Sequence, residues 1–169
     1  VKKVFDISQT DAKRQRQPQV HYDDRLLLSA LIAKRPVPIE MADSVQNGAV
    51  YDYERKTIFV QRGMDGQDLF RSVSLALARA EMAQQENSTP QADAFKSYCV
   101  SYMLCRKYGV DTQGYDFSRL PDELKNAEPQ TIRGELTDIR DTLQTMTGKM
   151  ARTLEQSRTA AQKETGKER

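Results

Sequence analysis

Gln67-Asp68-Leu69-Phe70-Arg71-Ser72-Val73-Ser74-Leu75-Ala76-Leu77-Ala78-Arg79-Ala80-Glu81-Met82 is the stretch whose periodicity decides the fold. Leu69, Phe70, Val73, Leu77, Ala80 and Met82 recur at helical spacing, which predicts an amphipathic helix over 67–85, entered through the turn Gly63-Met64-Asp65-Gly66. Glu86-Asn87-Ser88-Thr89-Pro90 then breaks the chain, and a second helix is expected over 91–108, with Phe95, Cys99, Tyr102 and Met103 on one side and Gly109 as its stop. Two such helices in succession form an antiparallel pair. Its expected core holds Phe70, Val73, Leu77, Phe95, Cys99 and Tyr102.

Upstream of this pair the periodicity changes. Residues 37–41, 49–53 and 57–60 are short runs rich in β-branched and aromatic side chains, separated by Asn47-Gly48 and by Glu54-Arg55-Lys56. That pattern predicts a small antiparallel β-meander with Tyr51, Tyr53, Ile58 and Val60 on one covered face. Before it, Asp23 or Asp24 caps a helix that carries Leu26-Leu27-Leu28 and Leu31-Ile32 and stops at Arg35-Pro36, because the residue before proline is pushed out of the α region. Val4-Phe5-Asp6-Ile7 has short strand character, and Ser8 to Gln19 reads as an exposed connection.

Downstream, Asp111 to Ala127 is turn-rich and reads as a packed loop containing Tyr115 and Phe117. From Pro129 a long helix is expected to run to about Gln156. Its stripe Ile132, Leu136, Ile139, Leu143, Met146, Met150 and Leu154 has the alternating spacing of a/d positions. The part up to Leu143 is expected to cover the body, and Met146, Met150 and Leu154 to project outward as an adaptable partner contact or a self-association surface. The class is α+β: a small sheet packed with helices, and a long C-terminal helix.

At 169 residues the chain is about one domain long, with 38% hydrophobic and 30% charged residues, so part of it must be solvated. No window reaches the roughly 18 uninterrupted apolar residues of a membrane span, and no apolar run follows the two leading lysines; an intracellular protein without membrane contact is expected. Residues 1–20 carry five basic and two acidic side chains, residues 21–146 fifteen and nineteen, and residues 147–169 six and three. Basic ends on an acidic body allow a weak nucleic-acid contact through those ends. Cys99 and Cys105 lie six apart on one expected helix and face different ways, which excludes a disulfide or a shared metal between them.

Little in the chain points to catalysis. His21 is the one histidine, no Gly-x-Ser-x-Gly elbow or glycine-rich phosphate cradle occurs, and the pairs Asp23-Asp24 and Asp122-Glu123 sit at helix starts, where negative charge complements the helix dipole. The residues by themselves define no active site.

The order of parts is more specific. Val4-Phe5-Asp6-Ile7-Ser8-Gln9-Thr10, a helix, three strands, the helix with Phe70 to Glu81, and the helix ending Cys105-Arg106-Lys107-Tyr108-Gly109-Val110-Asp111-Thr112 resemble the zincin-like metallopeptidase domain of ArdC-type antirestriction and related proteins of bacterial mobile elements, over roughly Val4 to Met146. The resemblance implies a zincin-like fold over 1–146, with 147–169 a basic helical extension. Active members carry His-Glu-x-x-His on the first long helix and a carboxylate on the next, because i and i+4 histidines share one helix face and chelate one zinc while the glutamate activates its water.

Here Leu75 and Arg79 stand where the histidines would be and Ala76 where the glutamate would be. The expected carboxylate falls near Tyr98, with Lys96 as the neighbouring candidate. Leucine and alanine have no donor to offer and arginine repels a divalent cation. The resemblance therefore implies a vestigial site at Leu75, Ala76, Arg79 and Tyr98, with Arg79 and Tyr98 approaching across the old cleft, and no cofactor, metal or catalysis. The protein so implied is a pseudoenzyme: a cytoplasmic scaffold or protein-binding domain of a larger bacterial mobile-element protein, its partner unspecified. The alternative is a nucleic-acid accessory module beside a single-strand-binding domain.

Overall fold

The computed structural model describes residues 22–86 and 88–165. Strand-like Val4–Ile7, the connection after it, the basic stretch 1–20 and His21 lie outside the described residues.

The chain opens with α1 (Asp24–Ile32), capped by Asp23, whose carboxylate accepts the backbone N–H groups of Arg25 and Leu26 at 3.1 and 3.4 Å. Leu27, Ala30 and Leu31 face inward. Three strands come next: β1 (Ile39–Ala42), β2 (Ala49–Asp52) and β3 (Thr57–Gln61). Then come α2 (Gly66–Met82), α3 (Pro90–Tyr108), the single turn α4 (Asp122–Lys125) and α5 (Pro129–Thr165). The molecule is α+β with a long C-terminal helix. Among the described residues no helix is long and apolar enough to cross a membrane.

The sheet is mixed, which corrects the expected antiparallel meander. Its order is β1-β3-β2, with β3 parallel to β1 (Ile39 opposite Ile58) and antiparallel to β2 (Tyr51 opposite Ile58). The cause lies in the residues between β1 and β2. Asn47-Gly48 is not a two-residue hairpin turn; it belongs to a 3-10 turn at Gln46–Gly48 in which both residues have positive φ, 56° and 79°. Gly48 is buried so closely under Met64 and Ser72 that a Cβ there would collide with both. The two strands are thereby held one strand-width apart, and β3 fills the gap. Only β2 and β3 form the expected hairpin, where the Asp52 carboxylate accepts the N–H groups of Glu54 and Arg55, each at 2.9 Å. Tyr51, Ile58 and Val60 lie on the covered face, and the Tyr53 ring lies tilted against Tyr51, their centroids 4.7 Å apart.

α2 is the central element, packed on the sheet and on α1, α3 and α5. The Asp65 carboxylate accepts the Asp68 N–H at 2.8 Å and starts the helix. Phe70, Val73 and Leu77 are buried, as expected, and Ala76, Ala78 and Ala80 let neighbouring elements approach closely.

α3 starts at a Thr89 cap with Pro90 in its first turn and stops at Gly109 in the left-handed conformation. Its buried face differs from the expected one. Asp93, Lys96, Ser97, Val100, Ser101, Leu104, Cys105 and Tyr108 face inward, and Phe95, Cys99, Tyr102 and Met103 are half-buried. Ser97 and Ser101 meet Arg79, Ser74 and the Arg71 carbonyl of α2, and the bulkier Tyr102, Cys99 and Met103 turn toward the 111–121 loop and α5.

The long helix covers the body at Ile139 and Leu143, as expected, but its two ends differ from the expected ones. Ile139, Thr142, Met146, Met150 and Leu154 are buried where α5 crosses α1, α2 and α3, and Lys149 pairs with Glu81. Met146, Met150 and Leu154 are thus core residues of this chain and not a projecting partner contact. Ile132 and Leu136 are the exposed ones, at 39% and 59%. The helix passes through residue 146 unbroken, and the last apolar residues of the stripe fill the space between α1 and α3.

The cost of truncation should track this burial. Phe70→Ala and Met150→Ala are expected to cost roughly 3–5 and 2–5 kcal/mol, and Leu136→Ala within about 0.5 kcal/mol of none. Urea unfolding of the three variants checks the order; a Leu136→Ala loss equal to that of Met150→Ala would contradict the packing of α5.

Candidate functional site

The candidate positions on α2 and α3 do not all converge. Ala76 is fully buried, and Leu75 and Arg79 are half-buried. Arg79 Nε donates to Ser97 Oγ at 3.4 Å, and the Ser97 hydroxyl donates to the Ala94 carbonyl at 3.0 Å. Tyr98 has different surroundings: its hydroxyl accepts the Asp116 N–H at 2.7 Å, and its ring lies 4.9 Å from Tyr115 and 5.2 Å from Phe117. The expected approach of Arg79 to Tyr98 is therefore replaced by Arg79 on Ser97. Successive residues of a helix point about 100° apart, so the side chain next to Tyr98 in sequence, and not Tyr98 itself, faces α2.

Lys96, the neighbouring candidate, is where the charges gather. Its side chain is 9% exposed, and its Nζ lies 2.9 Å from Asp138 Oδ2, 3.8 Å from Glu135 Oε1 and 3.9 Å from Asp93 Oδ1. Asp93, itself buried, accepts the Tyr53 hydroxyl at 3.2 Å and the Ser88 hydroxyl. One ammonium and its three carboxylates thus join α3 to α5, and through Tyr53 to the sheet. Burial pulls the Lys96 pKa down, but the hydrogen bond to Asp138 and the charges of Glu135, Asp138 and Asp93 outweigh it, so it rises above the ordinary lysine value. Burial also raises the Tyr53 hydroxyl, reinforced by the Asp93 charge and hydrogen bond.

Zinc binding requires three or four deprotonated nitrogen, oxygen or sulfur donors converging on one point. Leu75 and Ala76 supply none, Arg79 and Lys96 bring positive charge, and the carboxylates nearest Lys96 are already directed at its ammonium. These residues do not fit a metal ion, and among the described residues no group of three or more histidine, cysteine or acidic side chains is placed to hold one.

A second polar cluster pins the loop after α3. The Ser74 and Ser101 hydroxyls lie 2.6 Å apart and both reach the Arg71 carbonyl; Tyr115 OH lies 2.6 Å from Ser101 Oγ and 3.5 Å from Cys105 Sγ. Burial raises the thiol pKa of both Cys99 and Cys105. The serines are engaged with a backbone carbonyl and a tyrosine, so this cluster lacks the adjacent base that activates a nucleophile. Its role is to hold Tyr115.

Asp93, Glu135, Asp138 and Tyr53 do not stand out in the sequence. Their signal is two i,i+3 pairs, Asp93 with Lys96 and Glu135 with Asp138, a spacing that puts each pair on one helix face. Nothing in the sequence says which of many such pairs turns inward.

The chain matches no family model, no curated protein and no solved structure.

The alkaline limb of stability tests the arrangement around Lys96. Its raised folded-state pKa means that the stabilisation is complete below the unfolded value of about 10.4 and is lost as pH rises through the folded one. Tyr53, also raised, adds a loss that begins above about pH 10. Tm should hold between about pH 7 and 9 and fall above about pH 10, with a shallower fall in Lys96→Met. Equal falls in both proteins would show that Lys96 is not paired in the folded state.

Proposed function

We propose that this chain is a non-catalytic, zincin-like domain serving as a scaffold or protein-binding module within a larger protein of a bacterial mobile element, acting in the cytoplasm. The family part of this reading rests on the sequence resemblance. One observation supports its non-catalytic part: where active members would place two histidines, a glutamate and a further carboxylate, this chain has Leu75, Arg79, Ala76 and the pair Lys96 and Tyr98, and the Lys96 ammonium is buried among the nearest acids. Leu75 and Ala76 offer a metal no donor, Arg79 brings a positive charge, and the Asp138 and Glu135 carboxylates face the Lys96 ammonium.

The nucleic-acid alternative rests on the basic ends; of the tail's described basic side chains, Lys149 is held by Glu81 and Arg152 is exposed. A binding role needs rigid surroundings more than reactive ones, and the buried network supplies those.

The protein should purify with well under one zinc per chain, and added zinc should leave its Tm unchanged. A specific site would stabilise the fold by about 2.7 kcal/mol at a hundred times its Kd. Elemental analysis after dialysis against a weak chelator decides: about one zinc per chain would overturn the reading.

A further inference from the structure

Between Val110 and Ile139 no residue is buried. This stretch contains four of the exposed large apolar side chains: Phe117, Leu120, Ile132 and Leu136. Its start is tied down, because Tyr115 meets Ser101 and the Asp116 N–H donates to Tyr98. Its end is tied down too, because Ile139 and Thr142 are buried. From Arg119 to Asp138, among the described residues, the side-chain hydrogen bonds and ion pairs that reach the rest of the fold are those of Lys96 with Glu135 and Asp138.

Two hollows flank that attachment, each of about 510 Å³. One lies among Ala92, Phe95, Leu124 and Thr131, and the other among Cys99, Met103, Leu136 and Leu143. On α3, Lys96 falls between the two sets of residues, and Glu135 and Asp138 meet it from α5, so the ion pairs stand as a pillar separating the hollows.

We propose that residues 117–138 form a strap latched over α3 by Lys96, and that breaking its ion pairs to Glu135 and Asp138 lets the strap swing away and joins the two hollows into one apolar cleft. Phe117 rests its ring against Tyr98 and Tyr102 at the first hinge; beyond it the strap has no buried apolar side chain, and its ion pairs to Lys96 hold the rest of it over α3. The two anchored ends are its hinges. Without the latch, the first turns of α5 are an unsupported helix segment too short to be stable in water, whereas the α5 residues from Ile139 onward keep their core contacts. This inference does not depend on the chain's lacking metal or catalysis.

The two cysteines report on it. Cys99 lines the hollow beneath the strap and Cys105 is buried beside α2. In the full chain, the double variant Glu135→Gln with Asp138→Asn removes the latch while leaving Lys96 its Asp93 partner; Lys96→Met removes it from the other side. Both should raise thiol labelling of Cys99 and hydrogen exchange over 117–138 by about ten-fold or more, with Cys105 and residues 146–157 within about two-fold of the parent. If Lys96→Met fails to fold, the double variant decides. Unchanged Cys99 labelling and strap exchange in that variant would overturn the proposal, and so would a rise shared equally by Cys105 and 146–157, since that is global unfolding.

Discussion

A buried charge has to be neutralised where it stands, and in this molecule that requirement falls on the Lys96 ammonium. Taking an ammonium out of water costs several kcal/mol unless close carboxylates and hydrogen bonds offset it. Asp138, Glu135 and Asp93 do so from two helices. Their positions fix the rotation of α3 and the part of α5 that crosses it. With α3 turned so that Lys96 and Ser97 face inward, Ser97 meets Arg79 and Ser101 meets Ser74 on α2, and Phe95, Cys99, Tyr102 and Met103 are left half-covered. The loop after α3 then closes over Tyr98 and Tyr102, through Tyr115 and Phe117.

The same constraint explains why the fold is more legible in the sequence than the site. Helix existence depends on local signals that need no partner: Asp23, Asp65 and Thr89 cap their helices, Gly109 ends α3, and the apolar spacing of α2 marks its covered face. Which face of α3 turns inward is different, because its most apolar stripe is not its buried one. A polar stripe wins when its groups find partners on other elements, and those partners lie some 40 positions away, at Tyr53 and Asp138. Strand order is hidden for a related reason: Asn47-Gly48 carries a hairpin signature, but the tight space under Met64 and Ser72 turns it into a wider connection. The apolar stripe of α5 is plain in the sequence. Its division between core and surface is not, since that depends on where α1 ends.

For function, the residues present matter more than any general likeness of fold, since one fold hosts many activities. The Lys96 ammonium engages the carboxylates of Asp93, Glu135 and Asp138, and what those contacts do is join α3 to α5. Such a network holds its surroundings in one arrangement. A lysine latch also places the stability of one corner under the control of a few charges, while the α1–α2–α5 core stays apolar and indifferent to them.

The central claim is that Lys96 and Asp138 are energetically coupled across α3 and α5. A double-mutant cycle with Lys96→Met, Asp138→Leu and the combined variant, each measured by urea unfolding of the full chain, isolates that coupling. An interaction of about 0.5–3 kcal/mol is expected for a buried ammonium paired with a half-buried carboxylate. Additive losses, with coupling near zero, would show that the ammonium does not hold the two helices together.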